Sequence, residues 1–194
     1  MASHSRRETE IKLAVADAAA GRAILRRAGF QVSRRKVFES NTVFDTPQQT
    51  LGFAGALLRV RRAGRVATLT YKGPPAAAAK HKSREELEVE VPDARMIAAI
   101  VERLGFEPLF RYEKYRTEYR QPTGGGMATL DETPVGVYLE VEGAARWIDR
   151  TARQLGFAES QYITASYYGL YLDWCQRRGV QPGNMVFGTG QEPE

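Results

Sequence analysis

Residues 8–12 read ETEIK, placing two carboxylates and one amine at alternate positions. In a β-strand, alternate residues share a face, so Glu8, Glu10 and Lys12 point one way and Ile11, Leu13 and Val15 the other. Carboxylates are donors for hard divalent cations, and an amine holds anions. The same alternation recurs along the chain. Arg59 and Arg61 share a face, as do Thr68, Thr70 and Lys72, then Glu86, Glu88 and Glu90 opposite Leu87 and Val89. Lys114 and Arg116 oppose Tyr115 and Tyr119; Thr129 and Asp131 oppose Leu130; Glu140 and Glu142 oppose Leu139 and Val141. Lys12, Arg59, Arg61, Lys72, Lys114 and Arg116 form a cationic set able to hold a polyanion through charge-assisted hydrogen bonds. Glu8, Glu10, Glu88, Glu90, Asp131, Glu140 and Glu142 would repel that polyanion unless divalent cations lay between. Metal and phosphate are implied together.

Hydrophobic alternation and turn residues predict eight strands to carry these groups: 8–15, 36–44, 57–62, 66–72, 85–91, 114–120, 127–131 and 137–143. Helical periodicity with capping residues predicts helices over 17–28, 93–104, 145–155 and 163–178, closed by Gly29, Gly105, Gly156 and Gly179. RRAGRV and QPTGGGMA supply hairpin-type turns, which favour antiparallel pairing. The polar faces can be shared only if the sheet curls around them. The expected fold is therefore α+β: a closed eight-stranded antiparallel β-barrel with a charged tunnel inside and helices packed on its apolar outside.

The 194 residues suit one domain, here 1–179, followed by a flexible carboxy-terminal tail, 180–194, in which Val186 and Phe187 can dock on the body. A single cysteine, Cys175, and two histidines, His4 and His81, exclude a disulfide framework and leave little for a thiolate or imidazole metal site. A metal must then rely on carboxylates, as Mg2+ or Mn2+ does. No segment approaches the roughly 18 apolar residues of a membrane span, and no membrane partner is expected. A soluble cytoplasmic protein is. The net charge of +5 suits an anionic ligand without specifying one. The cations sit at tunnel parity rather than on an exposed stripe, so nucleic acid is not an expected partner. Gly73 to Ser83 is a long connection, read as a plain flexible loop or a lid. The helical aromatics Trp147, Trp174, Tyr167 and Tyr171 read as core.

ETEIK resembles the E-x-E-x-K signature that opens the CYTH domain of the triphosphate tunnel metalloenzymes, which include class IV adenylyl cyclases, thiamine triphosphatases and inorganic triphosphatases. FDTPQQTLGFAGALLRVRR, ATLTYKGP, LEVEV, RYEKYRTEY, ATLDETPVGVYLEVEG and ASYYGLY follow in the family's order, covering about residues 8 to 172. The resemblance implies a triphosphate substrate (ATP, tripolyphosphate or thiamine triphosphate) bound with Mg2+ or Mn2+, and is compatible with a homodimer. It matches Lys12, Arg59, Arg61, Lys72, Lys114 and Arg116 to the phosphate-binding cations. Glu8, Glu10, Asp131, Glu140 and Glu142 match the metal-binding acids, with Glu88 and Glu90 as the acidic pair of the middle strand; the resemblance also implies that the last helix, with Tyr167 and Tyr168, can border the tunnel mouth.

Two reactions fit this constellation. In a metal-dependent triphosphatase, water attacks a phosphorus and Lys12, the candidate catalytic group, tunes that water. In a class IV adenylyl cyclase, the ribose 3'-hydroxyl attacks the alpha phosphorus of ATP, giving cyclic AMP and pyrophosphate. The His-Phe pair of many class IV cyclases is missing from MASHSRR, and the second-strand tyrosine of some inorganic triphosphatases is missing between Lys36 and Asp45. NTVFDT and ASYYGLY resemble the cyclase-like bacterial subgroup. The expectation is hydrolysis of a phosphoanhydride, with cyclisation as the alternative. A non-catalytic nucleotide or polyphosphate sensor is a third reading, disfavoured because a pure anion binder has little use for so many carboxylates.

Overall fold

The computed structural model describes residues 5–76 and 80–188. Eight strands, β1 (Ser5–Val15), β2 (Gln31–Asp45), β3 (Leu57–Ala63), β4 (Val66–Lys72), β5 (Lys82–Val91), β6 (Glu107–Arg120), β7 (Gly126–Thr133) and β8 (Gly136–Gly143), close into a barrel in the order β1-β5-β4-β3-β2-β6-β7-β8. Every pairing is antiparallel. Among the described residues, five α-helices accompany them: α1 (Ala18–Arg27), α2 (Thr50–Phe53), α3 (Ala94–Arg103), α4 (Ala145–Gln154) and α5 (Tyr167–Arg178). The expected closed barrel with helices outside is the observed one.

Strand parity separates two environments. Ile11, Leu13, Leu139 and Val141 are fully buried beneath α1 and α4, in one cluster with Leu130 of β7 and with Trp147 and Ile148 of α4. A second outer cluster lies under α3, around Phe44, Val60 and Val101. The apolar burial that stabilises the fold is thus mostly outside the barrel wall, between strand and helix. Gly21 lets α1 come close, since a Cβ there would lie 2.6 Å from the Leu130 side chain.

Several boundaries differ from expectation, and one helix is added. The last helix begins at Tyr167, not Ile163, because Ile163 exchanges two backbone hydrogen bonds with Lys12 (2.8 and 2.9 Å) and Ser166 caps the helix through Gly169 N. β2 and β6 extend well beyond 36–44 and 114–120, each strand supplying a partner for the other's extra length. β5 starts at Lys82, so Lys82 and Ser83 of the expected connection are strand; residues 77–79 of that connection lie outside the described residues. α2 had no sequence signal of its own, being one turn held by a remote carboxylate, Asp45.

The tail stays on the body as far as it is described. Met185 is 1% exposed and bonds the backbone of Arg111 and Glu113, while Phe187 N donates to Glu113 Oε2. These contacts fill the edge of β6 that lies before its pairing with β7 begins at Tyr115. Residues 189–194 lie outside the described residues.

Candidate functional site: a charged lumen

The inward positions of all eight strands meet in one cavity of about 820 Å3. Of the residues predicted for the site, Lys12, Arg59, Arg61, Lys72, Lys114, Arg116, Glu8, Glu10, Glu88, Glu90, Glu140 and Glu142 line it. Asp131 is fully buried beneath the cavity surface. Glu90 is exposed, towards the end of the barrel where β4 begins.

These charges are paired with one another. Lys12 Nζ lies 3.1 Å from Glu10 and 3.5 Å from Glu140. Lys72 bonds Glu8 at 2.6 Å and Glu86 at 3.1 Å. Arg59 and Arg61 reach Glu88 at 3.6 and 3.2 Å, Arg59 also donating to Tyr112 Oη and Thr70 Oγ1. Asp131 takes a bidentate pair from Arg116 (2.7 and 2.5 Å), one bond from Lys114 (2.8 Å) and one from the Tyr167 hydroxyl (2.5 Å). Arg116 extends to Glu140 at 3.1 Å.

The proximity sets the charge states. Burial opposes the charge of Lys12, yet Glu10 and Glu140 hold its pKa above the ordinary lysine value, so it is an ammonium at every physiological pH. Burial would raise the Glu140 carboxyl, but Lys12, Arg116 and Lys114 hold it well below the usual range, and Arg116 and Lys114 lower that of Asp131 against its burial. Burial pushes the Tyr167 phenol well up, helped by Asp131 and Glu140, so it stays a hydrogen-bond donor. Its ring also lies 5.2 Å from the Lys12 ammonium and 4.8 Å from that of Lys114.

Several lumenal groups had escaped the sequence reading. Lys82 and Arg84 face inward opposite Glu10 and Glu8, having been assigned to a connection or placed just before the expected strand. Burial, with Lys12 beside it and only partial relief from Glu10, pushes Lys82 down to about 8. Glu39 and Asn41 point inward from β2, across from Lys114 and Tyr112; their parity with each other and with Val43 was the available signal. Among the described residues, both amide atoms of Asn41, Arg59 Nε and Glu39 Oε2 are buried without a hydrogen-bond partner, polar capacity that a polar ligand can satisfy. Arg111, half-exposed beside Glu113, is an outer-face charge. His81 is not a free loop residue: it is buried and bonds Asp149 of α4 at 2.8 Å.

Among the described residues, no three His, Cys, Asp or Glu side chains are gathered closely enough to hold a metal as they stand. The chemistry of the donor set nevertheless fits a hard divalent ion. Glu10 is directly opposite Glu142 on paired strands, Lys12 is opposite Glu140, and Glu10 and Glu140 share the Lys12 ammonium. Like charges directly opposite one another are destabilising unless a cation intervenes, and all the donors are oxygen.

An eight-stranded antiparallel barrel with a polyionic lumen defines a class of tunnel proteins for highly charged ligands. Residues 6–167 match the CYTH domain, and the chain belongs to the CYTH family, whose members depend on divalent metals. A Methanocaldococcus jannaschii protein whose name proposes adenylate cyclase activity is 29% identical over 136 residues, 70% of this chain and 75% of that protein. A solved Pyrococcus horikoshii protein superposes with TM-score 0.73 at 27% identity, covering 86% of this chain and 98% of that one. A Hippeastrum protein, described as a candidate adenylyl cyclase with a dominant triphosphatase activity, shares the fold at TM-score 0.63 and 18% identity, covering 90% of this chain and 97% of that one. No helix among the described residues is long and apolar enough to cross a membrane.

Proposed function

We propose that this chain is a divalent-metal-dependent triphosphatase, hydrolysing a phosphoanhydride of an inorganic or organic triphosphate. The observation that carries this reading is the internal pairing of Lys12, Arg59, Arg61, Lys72, Lys114 and Arg116 with carboxylates around one cavity. A triphosphate offers the same cations stronger acceptors, and the carboxylates it displaces become free for metal. Glu10, Glu140 and Glu142 would hold that ion, with Glu8 and Glu88 as further donors and Asp131 anchoring Lys114 and Arg116 from below. When bound, the ion supplies charge neutralisation and a lowered water pKa.

The chain's own residues do the rest. Arg59, Arg61 and Arg116 present planar donor pairs to the phosphoryl oxygens, and their charge opposes that which develops on the transferred group. In the hydrolytic step, the water oxygen bonds to phosphorus while the bridging P–O bond breaks; its electron pair leaves with the bridging oxygen, and the water proton passes to solvent or phosphate. Lys12, kept as an ammonium, orients the water or donates to a phosphoryl oxygen; it is not the base.

Incubation of purified protein with Mg2+ or Mn2+ and ATP, tripolyphosphate or thiamine triphosphate tests this directly. Orthophosphate release supports hydrolysis. The second reading, cyclisation of ATP, is favoured by the name of the M. jannaschii relative, and cyclic AMP with pyrophosphate would establish it in place of ours. Binding without product would make the protein a sensor.

A further inference from the structure

The tyrosines of β6 divide by strand parity. Tyr115 and Tyr119 point outward, the first against Phe38 and Phe187, the second into the cluster beneath α1 and α4. Tyr112 shares the parity of Lys114 and Arg116, so it faces inward with them and lines the cavity. A pattern of charges passes over it, because a phenol is neutral.

The Tyr112 ring is fixed by two others, stacked on Phe110 with centroids 5.7 Å apart and tilted against Tyr167 at 6.0 Å, while its backbone bridges to Met185. Its Oη accepts a hydrogen bond from Arg59 Nη1 at 3.2 Å. Among the described residues that is its one hydrogen bond, so the hydroxyl proton has no acceptor. A buried phenol that donates to nothing calls for a partner from outside the protein. Asn41, across the ladder from Tyr112, leaves both amide atoms unused, as does Arg59 its Nε. Three neighbouring groups thus keep donors in reserve along one stretch of wall.

The hydroxyl also lies in a cationic field. Burial and Glu39 raise the phenol, but Arg59 and Lys114 outweigh them and bring it below the ordinary tyrosine value. Tyr167 is the contrast: its proton is committed to Asp131, and its phenol is pushed well up. We propose that Tyr112 is a further catalytic residue of the triphosphate reaction, its hydroxyl donating a hydrogen bond, beside Arg59, to an oxygen of the phosphoryl group under attack. The inference rests on the triphosphate reading of the lumen. No proton changes owner in this contact. As the water oxygen bonds to phosphorus and the bridging P–O bond breaks, charge on the phosphoryl oxygens meets a donor already in position.

Tyr112→Phe keeps the stacked ring and removes only the hydroxyl. On the best substrate among tripolyphosphate, ATP and thiamine triphosphate, with Mg2+, we expect kcat to fall about a hundredfold, with KM little changed and the thermal melt unaltered. The pH profile separates donation from mere support of Arg59. A phenol donates only while protonated, so the advantage of the wild type over the variant should shrink as Tyr112 ionises, below pH 10. Lys82 titrates in both proteins, so its part cancels in the ratio of the two profiles. A ratio that stays constant with pH, or a variant with wild-type kcat, overturns the proposal while the lumen reading stands. Wild-type protein that releases orthophosphate from none of the three substrates overturns both.

Discussion

The two faces of the same barrel wall behave as two different materials. Outward, Ile11, Leu13, Leu139 and Val141 pack into α1 and α4 and are fully buried. One residue away in sequence, Glu10, Lys12, Glu140 and Glu142 look into a cavity crowded with charge. Burying apolar surface stabilises by about 25 cal/mol per Å2, whereas desolvating ion pairs roughly cancels their attraction. The outer face therefore holds the barrel shut, and the inner face is free to be shaped by a ligand. Stability and function alternate residue by residue along a single strand.

The sharpest way to break this comparison is to change one lumenal charge. Glu10→Gln or Arg59→Ala should lower kcat by about a hundred- to a thousandfold, with a thermal melt that remains cooperative. Wild-type turnover in both variants would remove the lumen as the site. On the other face, Leu139→Ala should cost about 2–5 kcal/mol of stability, visible as a lower urea midpoint, while the folded fraction keeps its affinity for triphosphate. A variant with normal stability and lost affinity would reverse the assignment of the two faces.

Acid should separate the faces next. Asp131, Glu140, Glu39 and Glu88 all titrate below their ordinary values in the folded state, each held down by lumenal cations against the effect of burial. The unfolded chain binds protons at higher pH than the folded one, so their stabilisation is complete above about pH 5 and is lost as the pH falls through the depressed folded values. Melting temperature should drop steeply on acidification; a flat acid profile would mean that the internal pairs contribute nothing. The smallest effect concerns Lys82, which burial and Lys12 lower to about 8 from the ordinary 10.5. For a lowered lysine, stability recovers as the pH rises from about 8 towards 10.5, since there the unfolded state alone still carries the proton. Between those values, the melting temperature of the wild type should gain on that of Lys82→Met, and equal slopes would contradict the shift.

Legibility followed locality. The signature ETEIK, the Arg59–Arg61 pair and the Lys114–Arg116 pair were readable because alternation is a property of one strand, visible without its neighbours. Lys82 and Arg84 were missed because their strand starts inside a stretch of prolines, alanines and lysines, where β5 forms by pairing with β1. Asn41 and Glu39 lie on a strand whose length is set by pairing with β6. Tyr167 read as a core aromatic on a helix that the family resemblance set at the tunnel mouth. It enters the lumen because Ile163 is stitched to Lys12, which starts the helix later and directs its first residue at Asp131.

The chain's order of charged and apolar residues thus determined, by itself, that one face would be ionic and one apolar, and with them the kind of ligand the inner face suits. It could do so because a strand's side-chain period of two needs no tertiary information. Only the tertiary structure decided which charges meet. Closure in the order β1-β5-β4-β3-β2-β6-β7-β8 sets Glu10 between Lys82 and Glu142, and brings Asp131 under Lys114, Arg116 and Tyr167. Pairing register and barrel closure depend on the free energy of the whole assembly, and no single segment contains it.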